Sequence, residues 1–536
     1  MTLLGLGDTL ATLVDSPVDR LVSARVASRL FSGDATLWGP DAEAEAAIRL
    51  GWTDAPATAT PLIAEITALR SSFAGQGITH FVLCGMGGSS LAPEMMTTEA
   101  GVPLTVLDST HPAQVREALS GPLAKSAVVF SSKSGSTVET LSHHSAFRAA
   151  YLAAGLDPAL HLIFVTDPGS ALQQLGAELG YRVFLADPNV GGRYSALTAF
   201  GLVPAGLAGA DIAGIVQDAL LVREDLSVDA PSNPALRLAA AMCSGLPERV
   251  ALFLIAGAGA GSGLGDWIEQ LVAESTGKHG LGVLPIGLGR NDPESRVSAE
   301  HLDGVRAWLP PSAPAPGPTE ISLHGPLGAQ LLLWETATAI AGVLLGTNPF
   351  DQPDVERAKI AARAALGGLS AGAVQEQALL PQPAAELTAA HLSELLAAIP
   401  EHGYLSLQAY LPELSDAAAQ QLDARLVEFR QRLFLVGKRS VALGRGPRFL
   451  HSTGQFHKGG PAVGVFLQLV DSPDPDLAVP DADYTFGELI SAQASGDAAV
   501  LRDHGRPVLR VLLQDPIADL DRLITLVAAL DDGRAS

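Results

Sequence analysis

Between residues 80 and 187 the chain repeats one pattern five times: a short run of β-branched and aromatic residues stops at a small or polar residue, and a helix-compatible stretch follows. The runs are "HFVLCGMG" at His80, "LTVLDST" at Leu104, "AVVFSSKS" at Ala127, "HLIFVTDP" at His161 and "RVFLAD" at Arg182. Alternation of this kind reads as βαβ units on a parallel sheet. A second series opens at "RVALFLIAGAGAGSG" from Arg249 and continues through "GVLPIGL" at Gly282. It then crosses a proline-rich loop at 309–318 and closes with the apolar helix candidate "AQLLLWETATAIAGVLLG". After a weak linker, "LLPQPAAE" at Leu379, strands are expected at "GYLSLQAYL", "GVFLQLV" and "PVLRVLL". The expected organisation is α/β throughout. A helical opening (1–55) precedes two three-layer α/β/α domains with parallel sheets (56–225 and 226–378) and a C-terminal α/β domain (379–536).

Charge narrows what such a chain can bind. Of 536 residues, 57 are acidic and 34 basic, a net charge of −23, so a polyanion or an anionic membrane is repelled over most of the surface. An anionic ligand must be small and held by a local site. The two cysteines, Cys84 and Cys243, make no disulfide framework and read as small buried hydrophobes in a reducing cytoplasm. The opening residues carry no basic leader, and no apolar window is long and continuous enough to suggest a membrane span.

The local site is readable in "VVFSSKSGSTVETL", from Val128 to Leu141. In an open parallel sheet, ligands lie beyond the carboxyl ends of the strands, where a helix N-terminus offers unpaired N–H groups and a partial positive charge. A phosphate suits that place. Ser132, Ser134, Ser136 and Thr137 supply hydroxyls, Gly135 backbone donors and Lys133 a cation. The preceding strand ends in "CGMGGSSLAP", where Gly85, Gly87 and Gly88 allow close backbone approach and Ser89 adds a donor. Taken singly, each loop is also good turn and N-cap chemistry. Neither has Walker or dinucleotide-fingerprint spacing.

These loops resemble those of the sugar isomerase (SIS) domain, a phosphosugar-binding α/β module. "VGGRYSALTAFGL" from Val190, "VAESTGKHG" from Val272 and "NPFDQPDVERAK" from Asn348 resemble, in the family's order, signatures of the glucose-6-phosphate isomerases. The chain is most similar to the isomerase module that some bacteria fuse to transaldolase, here in a free-standing version. The resemblance implies two SIS-type domains and a cytoplasmic enzyme of glycolysis and gluconeogenesis. Its activity would be to interconvert glucose 6-phosphate and fructose 6-phosphate through a cis-enediolate, as a monomer or homodimer with neither metal nor cofactor.

Such a reaction needs a carboxylate base, a cation at the developing oxyanion and an acid–base group that opens the sugar ring. Glu274 sits near the C-terminal end of the helical segment "DWIEQLVAE", where the dipole disfavours an ionised carboxylate. The resemblance makes it the base, with Glu269 the next choice. Arg193, behind Gly191 and Gly192, is by resemblance the cation at the enediolate, although such an arginine could also be an interdomain ion-pair residue. Gln352 and Lys359, about two helical turns apart, are implied at the sugar, Lys359 in ring opening.

The family's catalytic histidine lies in a His-Ser-x-Gly-Gln segment between the base and the lysine, and here the order departs from that pattern. Between Glu274 and Lys359 stand only His279, His301 and His324, none in that setting. The matching segment, "LHSTGQFHKGG" from Leu450, comes later and makes His451 the first candidate, His457 the second and His324 the third. "YTFGELI" at Tyr484 resembles a segment that precedes the lysine in the family. The implied set is therefore Glu274, Arg193, His451 and Lys359 for chemistry, and Gly88, Ser89, Ser132, Lys133, Ser134, Thr137, Gly192 and Gln352 for substrate. A non-catalytic phosphosugar sensor and an isomerase acting on mannose 6-phosphate are the competing readings.

Overall fold

The structure, a computed structural model, describes residues 3–256, 263–297, 303–311, 313–353 and 380–532. Three five-stranded sheets organise them. The first contains β2 (His80–Gly85), β3 (Thr105–Leu107), β4 (Ser126–Ser131), β5 (Leu162–Thr166) and β6 (Arg182–Leu185), all parallel, in the order β3-β2-β4-β5-β6. Every residue of β4 is buried, as a strand covered on both faces requires. Leu83, Val129 and Ile163 face one core; Cys84, Phe130 and Phe164 face another, completed by Phe147 and Tyr151 of the Val138–Ala153 helix. Successive strands leave β2 in opposite directions, to β3 on one side and to β4 on the other. The loops after β2 and β4 therefore flank a topological switch point, where a crevice opens.

The second sheet has the order β1-β10-β9-β7-β8, with β7 (Ala251–Ile255), β8 (Leu284–Leu288), β9 (Gly304–Trp308) and β10 (Glu320–Leu323) parallel. Its edge corrects the expectation of a purely helical opening. β1 (Leu4–Leu6) pairs antiparallel with β10 before the Asp8–Ser23 helix begins, and three residues of "LGL" are too few for strand periodicity to be visible. The apolar Leu327–Leu345 helix is long enough to cross a bilayer, yet it is mostly buried inside the protein. Trp334, Ile340 and their neighbours join Leu83 and Val129 of the first unit in one continuous core.

The third sheet, order β11-β15-β14-β12-β13, is parallel throughout. Its strands are β11 (Gln382–Pro383), β12 (Tyr404–Tyr410), β13 (Ser440–Arg445), β14 (Gly464–Asp471) and β15 (Val508–Leu513). Leu405, Leu407 and Ala409 of β12 pack under the Ala417–Gly437 and Pro516–Asp532 helices. The alternate residues Tyr404, Ser406, Gln408 and Tyr410 form a buried polar face on the other side.

This third unit docks on both others. Arg430 forms buried ion pairs with Glu294 at 2.5 Å and Asp292 at 3.1 Å. A methyl at Gly277 would meet Phe456 Cα at 2.4 Å, so the backbones touch there. Toward the first unit, His111 meets Asp471 at 3.1 Å and Thr110 donates to Gln493 at 2.6 Å.

Candidate active site

The loop after β4 folds on itself through hydroxyls. Ser132 Oγ lies 2.8 Å from Thr137 Oγ1 and accepts from the Gly135 N–H at 3.2 Å. Gly135 has φ +69°, and a methyl there would lie 2.7 Å from the Leu172 amide, so the turn depends on glycine. Thr137 stands at the N-cap of the Val138–Ala153 helix without capping it through its side chain, so the first-turn N–H groups have no partner from that hydroxyl. Ser134 and Lys133 sit at the rim. The Ser134 hydroxyl bonds Ser136 at 3.0 Å, and the Lys133 ammonium pairs with Asp167.

Beside this loop, Gly87–Ser89 forms one tight turn. A methyl at Gly88 would lie 2.1 Å from the Gly192 carbonyl oxygen, so the turn bearing Ser89 presses on the turn that presents Arg193. Arg193, 5% exposed, aims its guanidinium at Glu274, with Nη1 3.3 Å from Glu274 Oε1. The same fork donates to Gln352 Oε1 at 2.9 Å and to the Asp351 carbonyl at 2.8 Å. Thus Glu274, Arg193 and Gln352, separated widely in sequence, share one cleft. Lys278 closes its floor: the buried ammonium donates to the carbonyls of Ser275 and Asn348 and lies 2.9 Å from Asp351 Oδ1. Burial, reinforced by Arg193, pulls this ammonium down to about 8.

Two participants escaped sequence reasoning. Gln270 lies four residues before Glu274 on the same helix, hence on the same face. Its Nε2 donates to Glu274 Oε2 at 3.2 Å and to the His451 carbonyl at 2.7 Å. Glu139 lies in the first turn of the Val138–Ala153 helix, within the quoted serine-rich stretch, and its Oε1 is 3.2 Å from His451 Nε2. Gln493, on the Phe486–Asp503 helix that "YTFGELI" begins, donates to the same oxygen at 2.7 Å. The spacing of Glu139 from Thr137 and of Gln270 from Glu274 was the available signal.

The remaining candidates lie elsewhere. His457 is sealed in the third unit, with Nδ1 2.8 Å from the Tyr404 hydroxyl and Nε2 3.3 Å from Ser406, and burial holds its imidazole well below the usual range. His324 pairs with Ser322 on the second sheet at 2.9 Å. Glu269 is turned toward Asp266 and Ser452, and burial pushes its carboxyl up to about 8. His301 and Lys359 lie outside the described residues. A separate cavity of about 760 Å³ opens beyond β7, β8 and β9, lined in part by Leu254, Leu264 and Leu309; Glu274, Arg193 and His451 take no part in it.

A carboxylate and a guanidinium sharing a cleft, an imidazole held by a second carboxylate, and a hydroxyl cage at a helix N-terminus suit a phosphorylated polyol with an acidic C–H. Comparison with known proteins agrees. A phosphoglucose isomerase family profile matches residues 63–217, which include the glycine turn, the serine-rich loop, Glu139 and Arg193. A glucose-6-phosphate isomerase of Thermus thermophilus is 30% identical over 386 residues, covering 60% of this chain and 91% of the relative. The chain belongs to the phosphoglucose isomerase family. A probable glucose-6-phosphate isomerase of Haloarcula marismortui, also 30% identical, aligns over 54% of this chain and 78% of its own length. Solved structures share the fold. A hypothetical protein of Thermus thermophilus superposes with TM-score 0.58 at 26% identity, covering 68% of this chain and all of its own. A Chlamydia trachomatis glucose-6-phosphate isomerase gives TM-score 0.50 at 20% identity, over 67% of this chain and 86% of that one, a likeness of fold.

Proposed function

We propose that the chain interconverts glucose 6-phosphate and fructose 6-phosphate, with Glu274 carrying the proton between C2 and C1. The observation that supports this most is the seat of that carboxylate. Arg193 holds Oε1, Gln270 holds Oε2, and the side chain is only 10% exposed. A carboxylate fixed at both oxygens beside a permanent cation is arranged for proton abstraction next to a carbonyl.

The substrate phosphate takes the Ser132 and Thr137 hydroxyls, the N–H groups of the first turn of the Val138–Ala153 helix and the backbone at Gly88 and Ser89. Lys133 and Ser134 close over its outer side. His451, oriented by Glu139, passes a proton to the ring oxygen as the bond from that oxygen to C1 breaks, and takes up the O1 proton in its place; Lys359 assists, as the resemblance implies. In the open chain, Glu274 removes the C2 proton, the C–H electrons form the C1–C2 double bond, and charge develops on O1 opposite Arg193. Glu274 then returns the proton to C1 while the O2 proton passes to O1, leaving the ketose. Gly192 and Gln352 hold Arg193 and the sugar in register. One chain is sufficient in this reading, because His451 of the third unit reaches Glu139 and Gln270 of the same chain.

The test is conversion of fructose 6-phosphate, coupled to a glucose-6-phosphate dehydrogenase, in the presence of EDTA. The full chain turns over, and Glu274→Gln loses on the order of 10²-fold or more in kcat, the usual contribution of a general base. Equal turnover by the variant assigns the base elsewhere.

A further inference from the structure

His451 stands at the end of a single four-residue turn, Arg448–His451, between β13 and the short Gly454–Gly459 helix. Glu139 meets the imidazole and Gln270 the His451 carbonyl, and the first residue of the turn indicates what holds the turn itself in place. The Arg448 side chain, 17% exposed, pairs with Glu94 on the Leu91–Ala100 helix of the first unit. Its Nε lies 3.4 Å from Asp108, just beyond β3, and an Nη lies 3.8 Å from Asp266 in the first turn of the Gly263–Thr276 helix of the second unit.

We propose that Arg448 is a positioning residue for ring opening: one guanidinium from the third unit, clasped by carboxylates of the first and second, holds the His451 turn in the site. This rests on the assignment of His451 above. A planar fork that serves several carboxylates at once suits the task; an ammonium, as a point charge, reaches fewer of them. The surroundings make the cation necessary. Glu269 and Glu413 add two further carboxylates, and the other nearby cation, Arg445, is engaged with Glu413 at 3.1 Å and with Asp423. Without Arg448 the three units bring five carboxylates together at their junction.

The proton dependence follows from the same geometry. Burial pushes Asp108 up to about 6, and Arg448 opposes that rise. A carboxylate whose pKa is raised in the docked state binds its proton more tightly there, so falling pH favours docking and rising pH opposes it. Removing Arg448 drives Asp108 higher still and widens that dependence.

The experiment uses full-length Arg448→Met and Arg448→Lys beside the wild type and His451→Ala. Arg448→Met is expected to lower kcat on cyclic glucose 6-phosphate by on the order of 10- to 100-fold, the scale of a misplaced catalytic group, with KM within about threefold. It should act far less on an acyclic hexose phosphate analogue that cannot close a ring. Arg448→Lys recovers part of the loss. Relative to the wild type at the same pH, Arg448→Met is more impaired at about pH 8 than at about pH 6. Backbone amides of residues 448–459 exchange faster in the variant while those of β4 stay protected. Unchanged amide exchange, or a loss equal on cyclic and acyclic substrates and independent of pH, overturns the pin. Wild-type turnover by His451→Ala removes the assignment on which the proposal stands, and exchange data alone then cannot rescue it.

Discussion

His451 Nε2 lies 3.2 Å from Glu139 Oε1, across 312 residues of sequence and the boundary between the third and first units. The pair places an imidazole at the first turn of the Val138–Ala153 helix, beside the proposed phosphate loop. A carboxylate on one ring nitrogen sets the tautomer and stabilises the imidazolium formed during proton transfer. Glu139→Gln and His451→Ala should therefore each lower turnover of the cyclic sugar by on the order of 10²-fold and leave exchange from an acyclic analogue nearly intact. Mixing inactive Glu274→Gln with inactive His451→Ala should restore nothing. Recovery of activity on mixing would mean that the histidine is exchanged between subunits.

The cage predicts a split in kinetic constants. Ser132 and Thr137 bring two hydroxyls within 2.8 Å of each other at a helix N-terminus. Hydrogen bonds to a charged group contribute about 1.5–3 kcal/mol each, so losing both in Ser132→Ala/Thr137→Ala should raise KM by on the order of 10²- to 10⁴-fold. Their effect on kcat should be smaller, and the protein should still melt as one cooperative folded species, at a somewhat lower temperature because Gly135 loses its Ser132 partner. Unaltered affinity for a phosphosugar inhibitor would remove the phosphate from this loop.

Gly87 occupies φ +55°, where an added methyl would meet Gln270 Nε2 at 2.6 Å and the His451 carbonyl oxygen at 2.9 Å. Gly87→Ala pays about 1–2 kcal/mol in backbone conformation. It also wedges Gln270 away from the His451 carbonyl to which it donates. Activity should fall much further than stability, as read by kcat against the urea midpoint. A proportionate loss of both would make the glycine a folding residue alone.

Lys278 predicts the alkaline limb. Arg193, Asp351 and Glu274 face its ammonium, and burial brings it down to about 8. Its proton holds the Asn348–Gln352 segment against Arg193, so activity should decline as pH rises through about 8. Stability moves the other way. The folded state gives up this proton at about 8 and the unfolded chain at 10.5, so between the two the unfolded state binds more protons and stability rises with pH. Loss of activity without loss of melting temperature, and a limb displaced upward in Lys278→Arg, are the expected results. A limb unmoved by that substitution assigns it to another group.

How much of this was legible in the sequence follows from particular elements. β2, β4, β5, β7, β12 and β14 were visible because buried parallel strands are continuous apolar runs. β9 and β10 were not, since "GVRAW" and "EISL" are short and carry buried ion-pair partners, Arg306 and Glu320 at 2.5 Å, where a run of apolar residues was sought. The serine-rich loop, Arg193 and Glu274 were legible because each lies in a compact motif. Gln270 and Glu139 were overlooked although their spacing from Glu274 and Thr137 was visible, because that spacing gives them no partner until the third unit brings His451. For the same reason His451 and His457, six residues apart, were hard to rank. One faces Glu139 across the interface, whereas the other is buried against Tyr404.

The most direct test of the central claim, that Glu274 shuttles one proton between C2 and C1, is isotope exchange. Full-length enzyme and Glu274→Gln are incubated with fructose 6-phosphate in deuterated water, and label at C1 and C2 is followed by proton NMR. The wild type should wash deuterium into those positions during turnover, while the variant binds the sugar phosphate with near-normal affinity and incorporates none. Deuterium entering at the wild-type rate in Glu274→Gln would contradict the account.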